Sequence, residues 1–408
     1  MDSLITFIFY LFLSFFQFTP GVLYNQLMQY LRQHSYYSDK RHLVTLSWMV
    51  MAVLLSQSLH LTEWEPYVVS RATQAQSYQK RWGRFLKNQR IEVEKIYIPL
   101  AMAAISKWSR ERVYLALDTT MLWNKYCMIH LSIICSGRAI PFLWSVKEHN
   151  SATVGFEAYQ PLLRKASWFL RHQSDVLFLA DRGFANQALL QWLKSRNWHY
   201  SIRVPSDTLV WGVHRWSACP VSKLRTVRGE AKMYHQVRLW EQGIETVNLA
   251  LAYPEKAAEP WAVITDETPT LQTLYQYGFR FRVEELFLDS KSGIFGLTDS
   301  RLRDPQKLNR LYLVVAIAIL YGTVTATTVQ LSGLRQQVDL HYSRGLSYLK
   351  IGLRWLRGSI HKGRELLQLL PLPYLDPERC FASRRAEADY YEQLLFSRVR
   401  SLHCARSS

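Results

Sequence analysis

VYLALDTT, residues 113–120, is a short apolar run that ends in Asp118 and two threonines. VLFLADRGF, residues 176–184, has the same form, an apolar run that ends in Asp181 and is followed by Arg182, Gly183 and Phe184. Each run is too short for a helix and reads as a buried strand. Between them, Met128 to Ile134 and Ala139 to Val146 read as two more strands joined by a Ser136-Gly137 turn, and roughly Phe156 to Leu170 reads as a helix. A helix from about Asn186 to Arg196 and a strand from Trp198 to Val204 follow. The order strand, strand, strand, helix, strand, helix, strand predicts an α/β layer. If the first and fourth strands are neighbours, their terminal aspartates share one edge of the sheet. Residues 205–267 then turn mostly to β texture, at Tyr234 to Trp240, Val247 to Tyr253 and Trp261 to Thr265.

Beyond that insertion, Tyr277, Arg280, Glu284 and Lys291 follow one another at steps of three, four and seven. On an α-helix at roughly 100° per residue they fall within an arc of about 60°. One acid, two bases and a phenol would share one stripe. Thr268-Pro269 reads as the start of this helix and Gly293 as its stop. A second arc, Arg282, Glu285 and Asp289, reads as a solvated face.

Composition narrows the class of partner. The chain has 408 residues and a formal charge of +18, from 50 Lys+Arg against 32 Asp+Glu. That balance favours a polyanion: nucleic acid first, an acidic membrane surface second. Lys80, Arg81, Arg84, Lys87 and Arg90 alternate with Tyr78, Trp82 and Phe85 inside a helical region of about 21–110, a pattern suited to contacting DNA. Lys350, Arg354, Arg357, His361 and Arg364 form a second basic stripe opposite Leu349, Leu353, Leu356 and Ile360. The five cysteines lack metal-ligand spacing and are odd in number, so a disulfide framework is disfavoured and a reduced, cytoplasmic setting expected. There is no Gly-rich phosphate loop, dinucleotide fingerprint or His-Glu-x-x-His motif.

Two apolar stretches raise a competing reading, a polytopic membrane protein with basic cytoplasmic segments. Leu4 to Phe18 is short for a span and lacks a basic flank ahead of it. Leu311 to Leu331 carries no charge, yet its second half holds Thr323, Thr325, Thr327, Thr328 and Gln330. A helix buried in a large core gives the same signal.

Asp118, Asp181 and Glu284, if brought together, would raise one another's pKa unless a cation sat among them. Hard oxygen donors suit Mg²⁺, with Mn²⁺ as a substitute, and two such ions can serve an in-line displacement at phosphorus. Arg280 and Lys291 would hold DNA phosphates, Tyr277 would position a phosphate or terminal nucleotide, and Arg182, which follows the second aspartate, would also contact DNA.

In these residues the chain resembles the DDE transposases of bacterial insertion sequences, specifically the IS-four group. That group is marked by Tyr, two residues, Arg, three residues, Glu, six residues, Lys, and Tyr277, Arg280, Glu284 and Lys291 meet the spacing without a gap. Leu117 to Thr120 is similar to the family's first-aspartate strand, Leu179 to Phe184 to its second-aspartate segment, and Lys291-Ser292-Gly293 with Phe295-Gly296 to the text after the glutamate. The resemblance covers about residues 112–330. It implies a ribonuclease-H-like mixed sheet with flanking helices, with a β-rich insertion at about 205–267. Its other implications are metal-dependent strand cleavage and transfer at inverted repeats, double-stranded DNA at transposon ends and target as partner, a homodimer in that complex, no membrane, and a bacterial, nucleoid-associated setting. An insertion tryptophan stacks on a flipped base in some relatives, and Trp211, Trp216, Trp240 and Trp261 are the candidates. The expected division is a helical DNA-binding region at 1–110, a catalytic domain at 111–332 and a basic helical tail at 333–408, with Lys350, Arg354 and Arg357 on DNA. A DNA-binding relative without catalysis would have lost an acid, and all three are present.

Overall fold

The computed structural model describes residues 19–68, 72, 74–173, 175–213, 217–224, 226–240, 245–255, 257–339, 346–374 and 396–403. The Leu4 to Phe18 stretch and Trp216 lie outside them. In chain order the helices and strands are α1 (Thr19–His34), α2 (Lys40–Ser56), α3 (Ala75–Lys87), α4 (Val93–Ala104), β1 (Val113–Leu122), β2 (Tyr126–Cys135), β3 (Arg138–Glu148), α5 (Phe156–Phe169), β4 (Val176–Ala180), α6 (Gln187–Ser195) and β5 (His199–Arg203). The insertion supplies β6 (Leu209–Trp211), β7 (Cys219–Pro220), β8 (Glu230–Leu239), β9 (Glu245–Tyr253) and β10 (Trp261–Thr265). There follow α7 (Leu271–Gly278), α8 (Arg282–Leu288), α9 (Pro305–Leu331), α10 (Tyr348–His361) and β11 (Arg398–His403). The chain divides into two compact units: Met1–Lys107 with Cys135–Glu148 and Glu285–Cys380, and Trp108–Ile134 with His149–Glu284 and Phe381–Ser408.

The first unit is built around α9. Asp304 caps it by accepting from the Lys307 amide, and Pro305 occupies the first turn, where no amide donor is needed. Among the described residues α9 is the one unbroken helix long and apolar enough to cross a membrane, and its most apolar window is wholly buried within the protein. It is enclosed by α2, α3, α4, α10 and β3. Its threonines are buried without cost because each hydroxyl donates back into the helix: Thr323 to Ile319, Thr325 to Tyr321, and Thr327 and Thr328 to Val324. The apolar stretch is therefore a core helix, in keeping with its threonine content. Tyr97 and Tyr312 pack edge-on against Trp144 at 5.1 and 5.0 Å, and the Tyr97 hydroxyl donates to the Pro141 carbonyl.

Two expectations for this unit need refinement. Tyr78, Trp82 and Phe85 do not alternate with the basic residues on a shared surface. They are buried, with Trp82 packed against Trp64 at 5.2 Å, while Lys80, Arg81, Arg84, Lys87 and Arg90 are exposed. The tail is helical at α10, where Lys350, Arg354, Arg357 and His361 line the exposed side, but it also contributes β11, a strand that belongs to the second unit.

The second unit is a mixed sheet. β1 runs antiparallel to β2 and parallel to β4, and β4 runs parallel to β5. This arrangement, with α5 and α6 as the crossovers flanking β4, is that of a ribonuclease-H-like core. β1 is longer than the sequence suggests. It continues through Asp118 to Leu122 because its second half keeps pairing with β2 after β4 has ended. The insertion adds strands to the same sheet in the order β5-β10-β9-β8-β6-β7, and β11 lies parallel to β8. Alternation along β8 and β9 buries Ala231, Met233, Ala250 and Ala252 against Leu274 and Tyr277 of α7. That contact anchors the signature helix to the insertion.

Candidate active site

Strand register sets the site. The last parallel pairs are Leu117 with Ala180 and Ala180 with Ile202. The next residues along each strand, Asp118, Asp181 and Arg203, therefore stand level at the carboxyl ends of β1, β4 and β5. Across the antiparallel side, His130 is the register partner of Asp118. Sequence reading missed both His130 and Arg203. The signal for each is its distance from a known strand end, which becomes usable only once the register is known.

Thr270 starts α7 rather than Thr268-Pro269. Its side chain accepts from the Gln272 amide, and Thr273 completes a capping box. The helix is not uniform. A 3₁₀ turn at Phe279–Phe281 separates α7 from α8, and a π turn at Asp289–Gly293 follows α8. These changes of pitch break the arithmetic of 100° per residue. Tyr277, Arg280 and Glu284 converge. Lys291 sits on the π turn, half-buried, its pKa lowered by burial. Asp289 is not on a solvated face. It is 6% exposed, and burial raises its pKa against the opposing pull of Arg138 and Lys350. Its backbone carbonyl accepts from Ile294 and Phe295, the bonds that widen the turn. Glu285 pairs with Arg138 rather than Arg282, whose guanidinium lies over the Phe279 ring at 4.5 Å.

Arg280 is the hinge of the site. It is 4% exposed, and its guanidinium donates to Asp118 Oδ2 at 2.9 Å and to Glu284 Oε1 at 2.8 Å. Burial disfavours its charge, but Tyr277, Asp118, Asp181 and Glu284 outweigh that and hold its pKa above the ordinary value. The Tyr277 hydroxyl donates towards Asp181 Oδ1 at 3.5 Å, and its pKa is pushed up to about 12, chiefly by burial. Asp118 accepts from the Thr119 amide at 2.8 Å. Burial nonetheless raises its pKa to about 6, against Arg280 and with help from Asp181 and Glu284. His130 is fully buried with its pKa lowered to about 3 by burial, and Nδ1 lies 2.7 Å from Ser132 Oγ, so it is a neutral neighbour.

The donor chemistry fits a hard divalent cation: oxygen ligands only, and a buried Asp118 that ionises poorly without a positive partner. In this conformation the positive partner is Arg280. Among the described residues no three His, Cys, Asp or Glu side chains are grouped as a metal site. Asp118 and Glu284 would be free to hold a cation only if Arg280 left them.

A consequence for stability follows from Asp118. An acid whose pKa is raised on folding, here from 3.8 to about 6, contributes most below the lower value and loses that contribution as pH rises through the higher one. Without metal, Asp118→Asn should match its parent near pH 4 and exceed it by about 2–3 kcal/mol above pH 7. Denaturant titrations in a chelator at the two pH values check this, and added Mg²⁺ should narrow the gap by stabilising the parent alone.

Of the described tryptophans in the insertion, Trp261 reaches the signature residues, at 5.6 Å from the Tyr277 ring and 5.5 Å from Phe281. Trp211 instead donates to the Trp240 carbonyl at the far end of the insertion. Arg182 follows Asp181 directly and is half-exposed.

No curated protein matches the chain. A cryo-EM structure of the piggyBac transposase synaptic complex with hairpin DNA is similar at a TM-score of 0.44 and 12% identity, over 80% of this chain and 73% of that one. The family model described as Transposase DDE domain matches residues 124–321, a span that opens just after Asp118 and contains Asp181 and the whole Tyr277, Arg280, Glu284 and Lys291 signature.

Proposed function

We propose that the chain is a DDE transposase of the IS-four group, cutting and rejoining DNA at the inverted repeats of its own element. One observation carries this reading: the register that sets Asp118 beside Asp181, with Glu284 joined to Asp118 through one guanidinium. The family match supports it. In this reading Asp118, Asp181 and Glu284 hold Mg²⁺, or Mn²⁺ in its place, which when bound lowers the pKa of an attacking hydroxyl and stabilises the departing 3′ oxygen. The chain's own residues do the rest. Arg280, freed from the acids, becomes a bidentate donor to a strand phosphate. Tyr277 holds the second-aspartate side of the site from its buried position, Arg182 and Arg203 lie at the carboxyl ends of β4 and β5, and Lys291 contacts DNA as a point charge. Residues 111–332 act as the catalytic domain, with 1–110 and the basic tail as DNA-contacting regions of a nucleoid-associated homodimer. Nicking of a duplex carrying the terminal repeats in Mg²⁺ tests the activity. A membrane protein finds no support in α9, whose most apolar window is wholly buried within the protein.

The exposed stripe of α10 gives a separate test of DNA binding. Replacing Lys350, Arg354 and Arg357 together with Ala should lower the slope of log affinity against log salt by about one for each phosphate that the stripe neutralises in the parent. An unchanged slope removes α10 from the interface.

A further inference from the structure

Glu259, near the end of the insertion, joins two arginines at the carboxyl ends of β4 and β5, one of them next to Asp181. One carboxylate oxygen lies 2.8 Å from Arg203 Nη2 and the other 3.5 Å from Arg182 Nη1. Arg203 is nearly buried, with 10% of its side chain exposed, and also donates to the Pro260 carbonyl at 3.1 Å. Glu259 and Arg182 are each about half-exposed, at 51% and 52%. Arg182 follows Asp181 in the chain, and Arg203 is level with Asp181 in register. We propose that Glu259 is an internal stand-in for a DNA phosphate: its carboxylate bridges Arg182 and Arg203 until a strand phosphate displaces it. This inference rests on the DNA reading above and adds how two of its arginines are paired when no DNA is bound.

The chemistry of the exchange is matched. A phosphodiester carries one negative charge over two free oxygens, as a carboxylate does, and guanidinium forks donate to either as a bridging ligand. Arg203 is too buried to go unpaired at small cost, so something anionic must face it when DNA is absent. Glu259 meets that need from an exposed segment, where leaving costs little, because half of its carboxylate is already in water. The swap keeps the charge pairing constant. A purely structural ion pair would have a different signature, since removing its acid would weaken the protein and leave DNA affinity no better.

Fluorescence anisotropy with a short duplex carrying an element end separates these cases. Glu255→Gln removes the same charge from the same exposed segment without touching either arginine, and so measures the general effect of charge. Glu259→Gln should bind the duplex about fivefold more tightly than Glu255→Gln. The gain should vanish when Arg203→Gln is added, as a double-mutant cycle requires of a direct coupling. Inorganic phosphate at millimolar levels, titrated into Glu259→Gln by calorimetry, should bind far more weakly than the duplex. Phosphate binding as tight as the duplex would make this a free-anion site and overturn the assignment to DNA. Equal affinities for Glu259→Gln and Glu255→Gln, with the parent binding DNA normally, would overturn the stand-in role alone. A parent that fails to bind DNA at low salt would remove the DNA reading itself, and the proposal with it.

Discussion

Asp118→Asn, Asp181→Asn and Glu284→Gln should each slow Mg²⁺-dependent strand cleavage by on the order of a thousandfold or more while leaving affinity for the duplex largely intact. The amides keep shape and hydrogen bonding but cannot balance a divalent charge. Each tenfold in rate is about 1.4 kcal/mol of barrier, so a loss of this size asks for about 4 kcal/mol from one ligand, within reach of metal-borne catalysis. Glu285→Gln is the sharpest control. Glu285 is the next residue, yet it pairs with Arg138 and not with the Arg280 bridge. It should stay within a few-fold of the parent. A dead Glu285→Gln with an active Glu284→Gln, measured side by side in the nicking assay, would overturn the site. Metal binding offers a readout independent of turnover. Mn²⁺ titrated into Arg280→Gln should bind more tightly than into the parent, because the guanidinium that competes for Asp118 and Glu284 is gone.

The strands and their acids are legible in the sequence because they rest on local signals. Five-residue apolar runs closed by Asp can hardly be read as anything but buried strand ends, and β1 and β4 bear this out as neighbours. The buried nature of α9 is legible too, through threonines that a core helix satisfies within itself. What fails is what depends on summed geometry. A uniform helix phase does not hold over the fifteen residues of the signature, because a 3₁₀ turn and a π turn interrupt it, and Asp289, read as solvated, is buried. His130 and Arg203 carry no signal of their own, because their meaning comes from cross-strand register. Glu259 is invisible for a related reason: its partners lie 77 and 56 residues back in sequence, and only the docking of the insertion onto β5 brings them within reach. Nor does residue spacing anticipate the bridging of acids by Arg280. Spacing alone assigns that arginine to phosphate, and in the fold it faces carboxylates.

Gly352→Val should be the most damaging single change to the first unit. α9 and α10 cross with two glycines face to face. A Cβ built on Gly352 would lie 1.9 Å from the Gly322 carbonyl oxygen, and one on Gly322 would lie 2.8 Å from Leu349 Cδ1. The first obstacle is backbone, which cannot rotate aside as a side chain can. Relief would need the helices to part by well over an ångström. That separation would open the surrounding cluster of Ala326, Val329, Tyr348, Ile351 and Trp355, all buried on the same interface. Overpacking with repacking costs about 1–3 kcal/mol, and a backbone clash in a closed helix pair belongs at or above the top of that range. Such a loss is a large share of the stability of a domain of this size, so the variant should unfold at clearly lower denaturant or fail to accumulate. Gly322→Ala should cost less, because a leucine methyl can yield where a carbonyl cannot. Chemical denaturation followed by tryptophan fluorescence, which Trp355 reports from inside the interface, orders the two variants. The reverse order, or a Gly352→Val chain as stable as its parent, would mean that α9 and α10 do not pack at this distance.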